Sequence, residues 1–247
     1  MAAQPRRVVV TGLGLVTPLA TGVTRSWERL LRADSAVARC TRLDEDKLAR
    51  LPCQIAAEVS YGSAEGEFDV ERVVPPELRR HTSAFVHYAL AAGAEALADA
   101  GWSSEGAGGE GRSERAGVCV GTGMVDLGRV SEASARLEQS YRKLSPFFIP
   151  SILGNMPAGH LSIQCVPHAP PTASSKSPSS PALRRVSCLS SLQALTPHLI
   201  LTLPCGGCCC RHQLRGPNHA PTTACTTGAH AIGDAANLIR LGHADMM

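Results

Sequence analysis

The chain has 247 residues, 44% of them hydrophobic, which suffices for one large domain or two small ones. Lysine and arginine number 24 against 21 acidic residues, a net charge of +3, and no basic run is interleaved with aromatics, so a nucleic-acid partner is not expected. No apolar run approaches the length of a membrane span, which argues against a membrane partner too.

Met1-Ala-Ala-Gln-Pro-Arg-Arg7 runs straight into Val8-Val9-Val10. That leaves no room for an apolar signal-peptide core or a full transit peptide, so any presequence is expected upstream. Arg7 to Thr11 is short and β-branched and predicts a buried strand, with Gly12-Leu-Gly14 as a tight turn. A strand followed by GxG invites a dinucleotide reading. The third glycine is absent, however, and Pro18 stands where a Rossmann helix should open, so no cofactor is expected. Trp27, Leu30 and Leu31 fall at helical spacing and predict a short helix from about Thr24 to Arg32.

Residues 34–80 are mixed and polar, with Pro52 and Pro75-Pro76; they predict loops, a strand near Cys53–Val59 and short helical turns. Ser83 to Ala100 predicts a long helix. Its polar positions His87, Glu95 and Asp99 fall on one narrow stripe, and a helix apolar around the rest of its girth is buried. Gly101 ends it as a C-terminal cap. Ser103 to Arg115 alternates glycines with acids and reads as a surface loop, poorly suited to cradle phosphate. Ala116 to Val120 predicts a second buried strand, ending in Gly121-Thr-Gly-Met124. Val130 to Tyr141 predicts an amphipathic helix. Ser145-Pro-Phe-Phe-Ile-Pro150 reads as a rigid apolar loop with exposed aromatics, and Ser151 to Ile163 as one helix with Asn155 and His160 as polar members.

The composition then changes. Gln164 to Arg215 contains no Asp or Glu and holds six of the ten cysteines. It has one apolar patch, Leu195 to Leu203, but no sustained periodicity, and is expected to be disordered or poorly packed. Cys205-Gly-Gly-Cys208 has half the spacing of a zinc knuckle, with His198, Cys209, Cys210 and His212 nearby. No second C-x-x-C or H-x₃₋₅-H follows, so no metal is expected. The remaining cysteines, Cys40, Cys53, Cys119 and Cys225, are ordinary usage for a reducing compartment and not a disulfide framework.

After Gly216-Pro217, His219 to Ala224 predicts a strand and Gly228 to Leu241 a mostly buried helix with His230, Asp234, Asn237 and Arg240 on its polar stripe. His230 belongs to that stripe and is not taken as a catalytic base. Ala244-Asp-Met-Met247 resembles the first residues of a further strand. Cys225 therefore stands where a strand meets a helix. Unpaired N–H groups and the helix dipole favour a thiolate at such a terminus, and a thiolate there is a natural nucleophile for acyl transfer. A small buried cysteine ahead of a core helix is the competing reading.

Taken in this order, the runs Arg7-Val-Val-Val-Thr-Gly-Leu-Gly-Leu-Val-Thr-Pro18, Gly121-Thr-Gly-Met124, Ser145-Pro-Phe-Phe-Ile-Pro150, Asn155-Met-Pro-Ala-Gly-His160-Leu-Ser-Ile163 and Gly216-Pro-Asn-His-Ala-Pro-Thr-Thr-Ala-Cys-Thr-Thr-Gly-Ala-His-Ala-Ile-Gly-Asp234 resemble the β-ketoacyl-acyl-carrier-protein synthases. These are the condensing enzymes of type II fatty acid synthesis, and the likeness is to the mitochondrial form. The resemblance covers residues 6–163 and 214–247. It implies an α/β thiolase-like fold, N-terminal half only, with the segment 1–163, an atypical insert 164–213, and a continuation 214–247 that carries the active cysteine.

The resemblance further implies that Cys225 accepts an acyl group from acyl carrier protein, with its own backbone N–H as one oxyanion donor. Malonyl carrier then loses CO₂, and the resulting carbanion attacks the thioester. Met124 would wall the acyl pocket, with Phe147 and Phe148 near the interface of a homodimer, and Gly123 and Pro146 would shape the same region. No cofactor is implied. The location implied is mitochondrial, with cytoplasm as the alternative. The family's two catalytic histidines, their supporting lysine and the second oxyanion donor lie in its second half, so the expectation is a truncated synthase that is incomplete for condensation. The alternative is an acyl-accepting or non-catalytic fragment that pairs with a full-length synthase through the dimer surface. The insert reads as translated intron or a misplaced exon boundary.

Overall fold

The computed structural model describes residues 6–102, 113–163 and 214–247. The insert 164–213, with its Cys205-Gly-Gly-Cys208, and most of the glycine–acid loop expected over Ser103–Arg115 lie outside the described residues. In chain order the elements are α1 (Val23–Leu31), β1 (Val37–Arg39), α2 (Glu45–Leu48), β2 (Ile55–Ala57), α3 (Val70–Val73), α4 (Pro76–His81) and α5 (Ala84–Asp99). They continue as β3 (Val118–Cys119), α6 (Leu127–Gln139), α7 (Phe148–Ile152), α8 (Met156–Ile163), β4 (Asn218–His219) and α9 (Thr227–Arg240).

The centre is a parallel pair, β3 and β4, with Val118 opposite Asn218 and Cys119 opposite His219. Met246 adds a parallel bridge to Ala116, so the last residues do begin a strand-like run. Successive side chains of a strand point to opposite faces. Val118 accordingly joins the core built from Val86, Leu90 and Ala94 of α5 and Ala158 and Leu161 of α8. Cys119 faces the other way, toward Asp234 and Ala235 of α9, and burial pushes its thiol pKa up. Helices thus cover both faces of the strand pair. The approach of α8 to α5 depends on Gly93, where a Cβ would overlap the Leu161 side chain. The antiparallel pair β1–β2 forms a separate small sheet, with Val37 opposite Ala57.

Arg7–Thr11 departs from its expected strand. It is unpaired among the described residues, and Val9 and Val10 are exposed. The segment after it is held by helix α5 instead of by a sheet. The backbone N–H groups of Leu13 and Leu15 donate to Asp99 Oδ2 and Glu95 Oε2, both at 2.9 Å, and that of Val23 donates to Glu95 Oε1 at 2.8 Å. Gly12 and Gly14 lie so close that a Cβ on either would overlap a backbone carbonyl of α5, that of Ala96 or Ala92. The carboxylates on the polar stripe of α5 are therefore clamps for a neighbouring segment.

Other differences have local causes. In α1 the apolar stripe faces outward: Trp27, Leu30 and Leu31 are exposed while Ser26 is buried, its hydroxyl donating to Ala20 O at 2.9 Å. Helix α6 starts before Val130 because the Asp126 carboxylate accepts from Arg129 N at 3.1 Å and caps it. The single helix expected over Ser151–Ile163 breaks into α7 and α8. Pro157 has no N–H and is tolerated only in a first turn, which is where α8 puts it. Helix α9 is not mostly buried. Thr227 and Ala231 are covered, Ile232 is 71% exposed, and no other described segment comes within 4 Å of where a Cβ would stand on Gly228 or Gly233.

Candidate functional site

Strand β4 ends at His219, earlier than the expected Ala224, because Pro221 and the residues after it leave the ladder. Ala224 then takes a left-handed conformation, φ 52°. A side chain rarely adopts this region, which persists only where neighbours hold it. Cys225 follows at the middle of a single 3₁₀ turn, Ala224–Thr226, and α9 begins at Thr227. The Cys225 side chain is exposed. Its backbone N–H has no hydrogen-bond partner among the described residues. A thiol and an adjacent open N–H at a strand-to-helix turn are what an acyl-accepting nucleophile needs.

Threonines bracket the turn. The Thr227 hydroxyl accepts from Thr223 N at 2.9 Å and donates to Ala224 O at 2.8 Å. The Thr226 hydroxyl donates to Thr223 O at 2.7 Å. The Thr223 hydroxyl is buried and has no partner among the described residues. Neither Thr227 nor the left-handed Ala224 was singled out in the sequence. The signal available was the hydroxyl-rich run Thr-Thr-Ala-Cys-Thr-Thr ahead of a helix, since such residues bond to nearby backbone at helix starts.

The glycine run before Met124 packs directly on this turn. A Cβ on Gly121 would overlap the Pro221 carbonyl and the Thr227 methyl, and one on Gly123 would lie 2.8 Å from Ala224 O. Thr122 donates to Gly154 O at 2.9 Å, and Gly154 itself abuts Thr222. Two of the runs quoted from the sequence therefore meet around Cys225, with Gly154 packed beside them. Met124, the next residue, is 69% exposed.

Phe147 and Phe148 are half-buried and stand elsewhere. Phe147 stacks on His81 with ring centroids 3.6 Å apart. The two phenyl rings, Arg80, Arg129 and Arg136 line a groove of about 80 Å³ whose walls do not include Cys225. Pro146 is exposed in the loop before α7.

The histidines divide cleanly. His230 is exposed on α9. His87 is buried, and its Nε2 lies 2.9 Å from the Thr82 hydroxyl. Burial first, then the nearby charges of Arg129 and Arg79, push its pKa down to about 4. Burial also lowers the pKa of His160. Among the described residues no group of three or more His, Cys, Asp or Glu side chains is placed to hold a metal ion.

The family model described as "Beta-ketoacyl synthase, N-terminal domain" matches residues 5–184 and 190–247. The chain is 36% identical over 98% of its length to 3-oxoacyl-[acyl-carrier-protein] synthase 2 of Rhizobium meliloti, covering 45% of that protein. It is 35% identical, again over 98%, to the mitochondrial 3-oxoacyl-[acyl-carrier-protein] synthase of Arabidopsis thaliana, covering 44% of that relative. The chain thus spans about half the length of the curated relatives it matches. In fold it is similar to a crystal structure of a β-ketoacyl synthase from Burkholderia phymatum, with TM-score 0.60, 22% identity, and coverage of 96% of this chain and 44% of that one. A second likeness, TM-score 0.56 at 17% identity over 96% of this chain and 47% of the other, is to a type II polyketide ketosynthase solved with its acyl-carrier protein.

Proposed function

Because the chain belongs to the β-ketoacyl synthase family, we propose that Cys225 takes an acyl group from the thioester of an acyl carrier protein, the first half of a 3-oxoacyl-carrier-protein synthase reaction. Cys225 attacks the thioester carbonyl carbon as the thiolate, its proton having gone to solvent, from which the departing carrier thiolate can recover one. The carbonyl oxygen becomes an oxyanion that accepts from the Cys225 N–H, and collapse expels the carrier's thiolate, leaving the acyl group on Cys225. The observation that carries the reading is an exposed thiol beside a backbone N–H without a partner among the described residues, at the turn where Ala224 is left-handed.

Condensation with malonyl carrier, the second half, is proposed for the family's complete arrangement of groups. Met124 is assigned to the acyl pocket wall, and Phe147 and Phe148 to the neighbourhood of a homodimer contact. Arg80 beside those rings offers positive charge to a carrier protein, while Arg129 and Arg136 in the same groove are paired with Asp126 and Glu132. A mitochondrial location is supported by the names of two relatives. A second reading, pairing with a full-length synthase without turnover, is favoured by the open apolar face of α9 at Ile232.

The test is intact-protein mass after incubation with an acyl carrier thioester. An acyl adduct that maps to Cys225 and is absent from Cys225→Ala supports the reading. An unmodified protein overturns it. Co-purification with full-length synthase and no adduct would leave the second reading.

A further inference from the structure

We infer that Thr227 is the positioning residue that turns the Cys225 backbone N–H toward the acyl oxygen; this rests on the reading of Cys225 as the acyl acceptor. Thr227 is 4% exposed and carries hydrogen bonds on both sides of Ala224. Its hydroxyl has one hydrogen. The Thr223 amide can only donate, so the hydroxyl accepts there, at 2.9 Å, and spends its hydrogen on Ala224 O, at 2.8 Å. The Thr227 N–H donates to the same oxygen. The Ala224 carbonyl is thereby held into the first turn of α9.

The peptide between Ala224 and Cys225 is planar and trans. In such a unit the C=O and N–H point in opposite directions. Fixing the carbonyl inward therefore points the Cys225 N–H outward, where it has no partner among the described residues. The same pair of bonds holds Ala224 at φ 52°. Thr226 bonds only as far as Thr223 O, and the Thr223 hydroxyl bonds to nothing among the described residues, so Thr227 alone of the three hydroxyls braces the peptide that carries the N–H. Its methyl is in turn backed by Gly121, where a Cβ would overlap it.

The test compares two reactions of the same thiol in the full chain. Transfer from an acyl N-acetylcysteamine thioester passes through a tetrahedral oxyanion. Alkylation by iodoacetamide displaces iodide from a saturated carbon and forms none. Thr227→Val is expected to slow acylation of Cys225 several-fold, up to the roughly 10²-fold that outright loss of an oxyanion donor costs, because the Thr227 N–H still holds the Ala224 carbonyl, while alkylation stays within about twofold. Thr227→Ser is expected to recover most of the acylation rate. Unchanged acylation in Thr227→Val, or equal slowing of both reactions, overturns the inference. Should the unsubstituted chain take no acyl group, the functional reading fails by itself, and the backbone decides the positioning role. Scalar couplings would then show Ala224 leaving the positive-φ region in Thr227→Val and keeping it in Thr227→Ser. An unmoved Ala224 in Thr227→Val overturns the role.

Discussion

Gly123 lies against the carbonyl of Ala224, so close that a methyl group at Gly123 would stand 2.8 Å from that oxygen. The loop before Met124 and the turn that carries Cys225 are thus one packed unit. Gly123→Ala is expected to shift the two apart at a cost of about 1–3 kcal/mol. The paired measurement is urea unfolding and the rate of Cys225 acylation, which should fall with it. An acylation rate equal to that of the unsubstituted chain would show that the contact is incidental.

Cys225 is exposed. Cys225→Ala should therefore remove acyl capture entirely while changing stability by no more than about 0.5 kcal/mol, as surface substitutions do. Thermal unfolding and intact mass check both halves of the expectation.

Leu90 is fully buried between α5 and the strand pair, whereas Ile232 is 71% exposed on α9. Leu90→Ala should cost about 2–5 kcal/mol through the cavity it leaves. Ile232→Ala should stay within about 0.5 kcal/mol. Chemical denaturation of the two variants reads the contrast, and equal effects would mean that α9 is covered in solution.

Glu95 holds two backbone amides, those of Leu15 and Val23. Glu95→Ala leaves both without their acceptor, at a cost of about 1–3 kcal/mol. Hydrogen exchange should accelerate at Leu15 and Val23 and be unchanged at Leu90. Unaltered protection at Leu15 would refute the clamp.

His87 gives the stability a pH dependence with a definite sign. Its folded pKa is lowered from 6.5 to about 4, chiefly by burial. Between those values the unfolded chain binds more protons than the folded one, so stability falls as pH drops from about 6.5 to about 4 and this group adds no further loss below that. His87→Gln should flatten the profile in that window. Asp245, held down to about 2 by its hydrogen bond with Arg115, acts only at lower pH. Urea midpoints across pH 4 to 7 distinguish the two.

Local pattern carried α1, α5 and α6 well, because helical periodicity and caps are properties of neighbouring residues. It failed at Arg7–Thr11, whose β-branched run is real but finds no partner strand among the described residues, and at Ser151–Ile163, where Pro157 interrupts an otherwise helical composition. The polar stripe of α5 was visible as a stripe only. Its work is to hold amides 72 to 86 residues away in sequence, and no window along the chain contains that pairing.

The sequence by itself determined the family and singled out Cys225 at the head of a helix, since the order of short runs and the chemistry of a thiol at a helix terminus are both written along the chain. Only the tertiary structure decided that Ala224 is left-handed, that Thr227 braces it from both sides, and that Gly121 and Gly123 press on the same turn. The reason is physical. A backbone conformation that costs energy in isolation is populated only when neighbours hold it, and here the local Thr227 hydroxyl is set in place by the packing of Gly121 and Gly123, which comes into being with the fold.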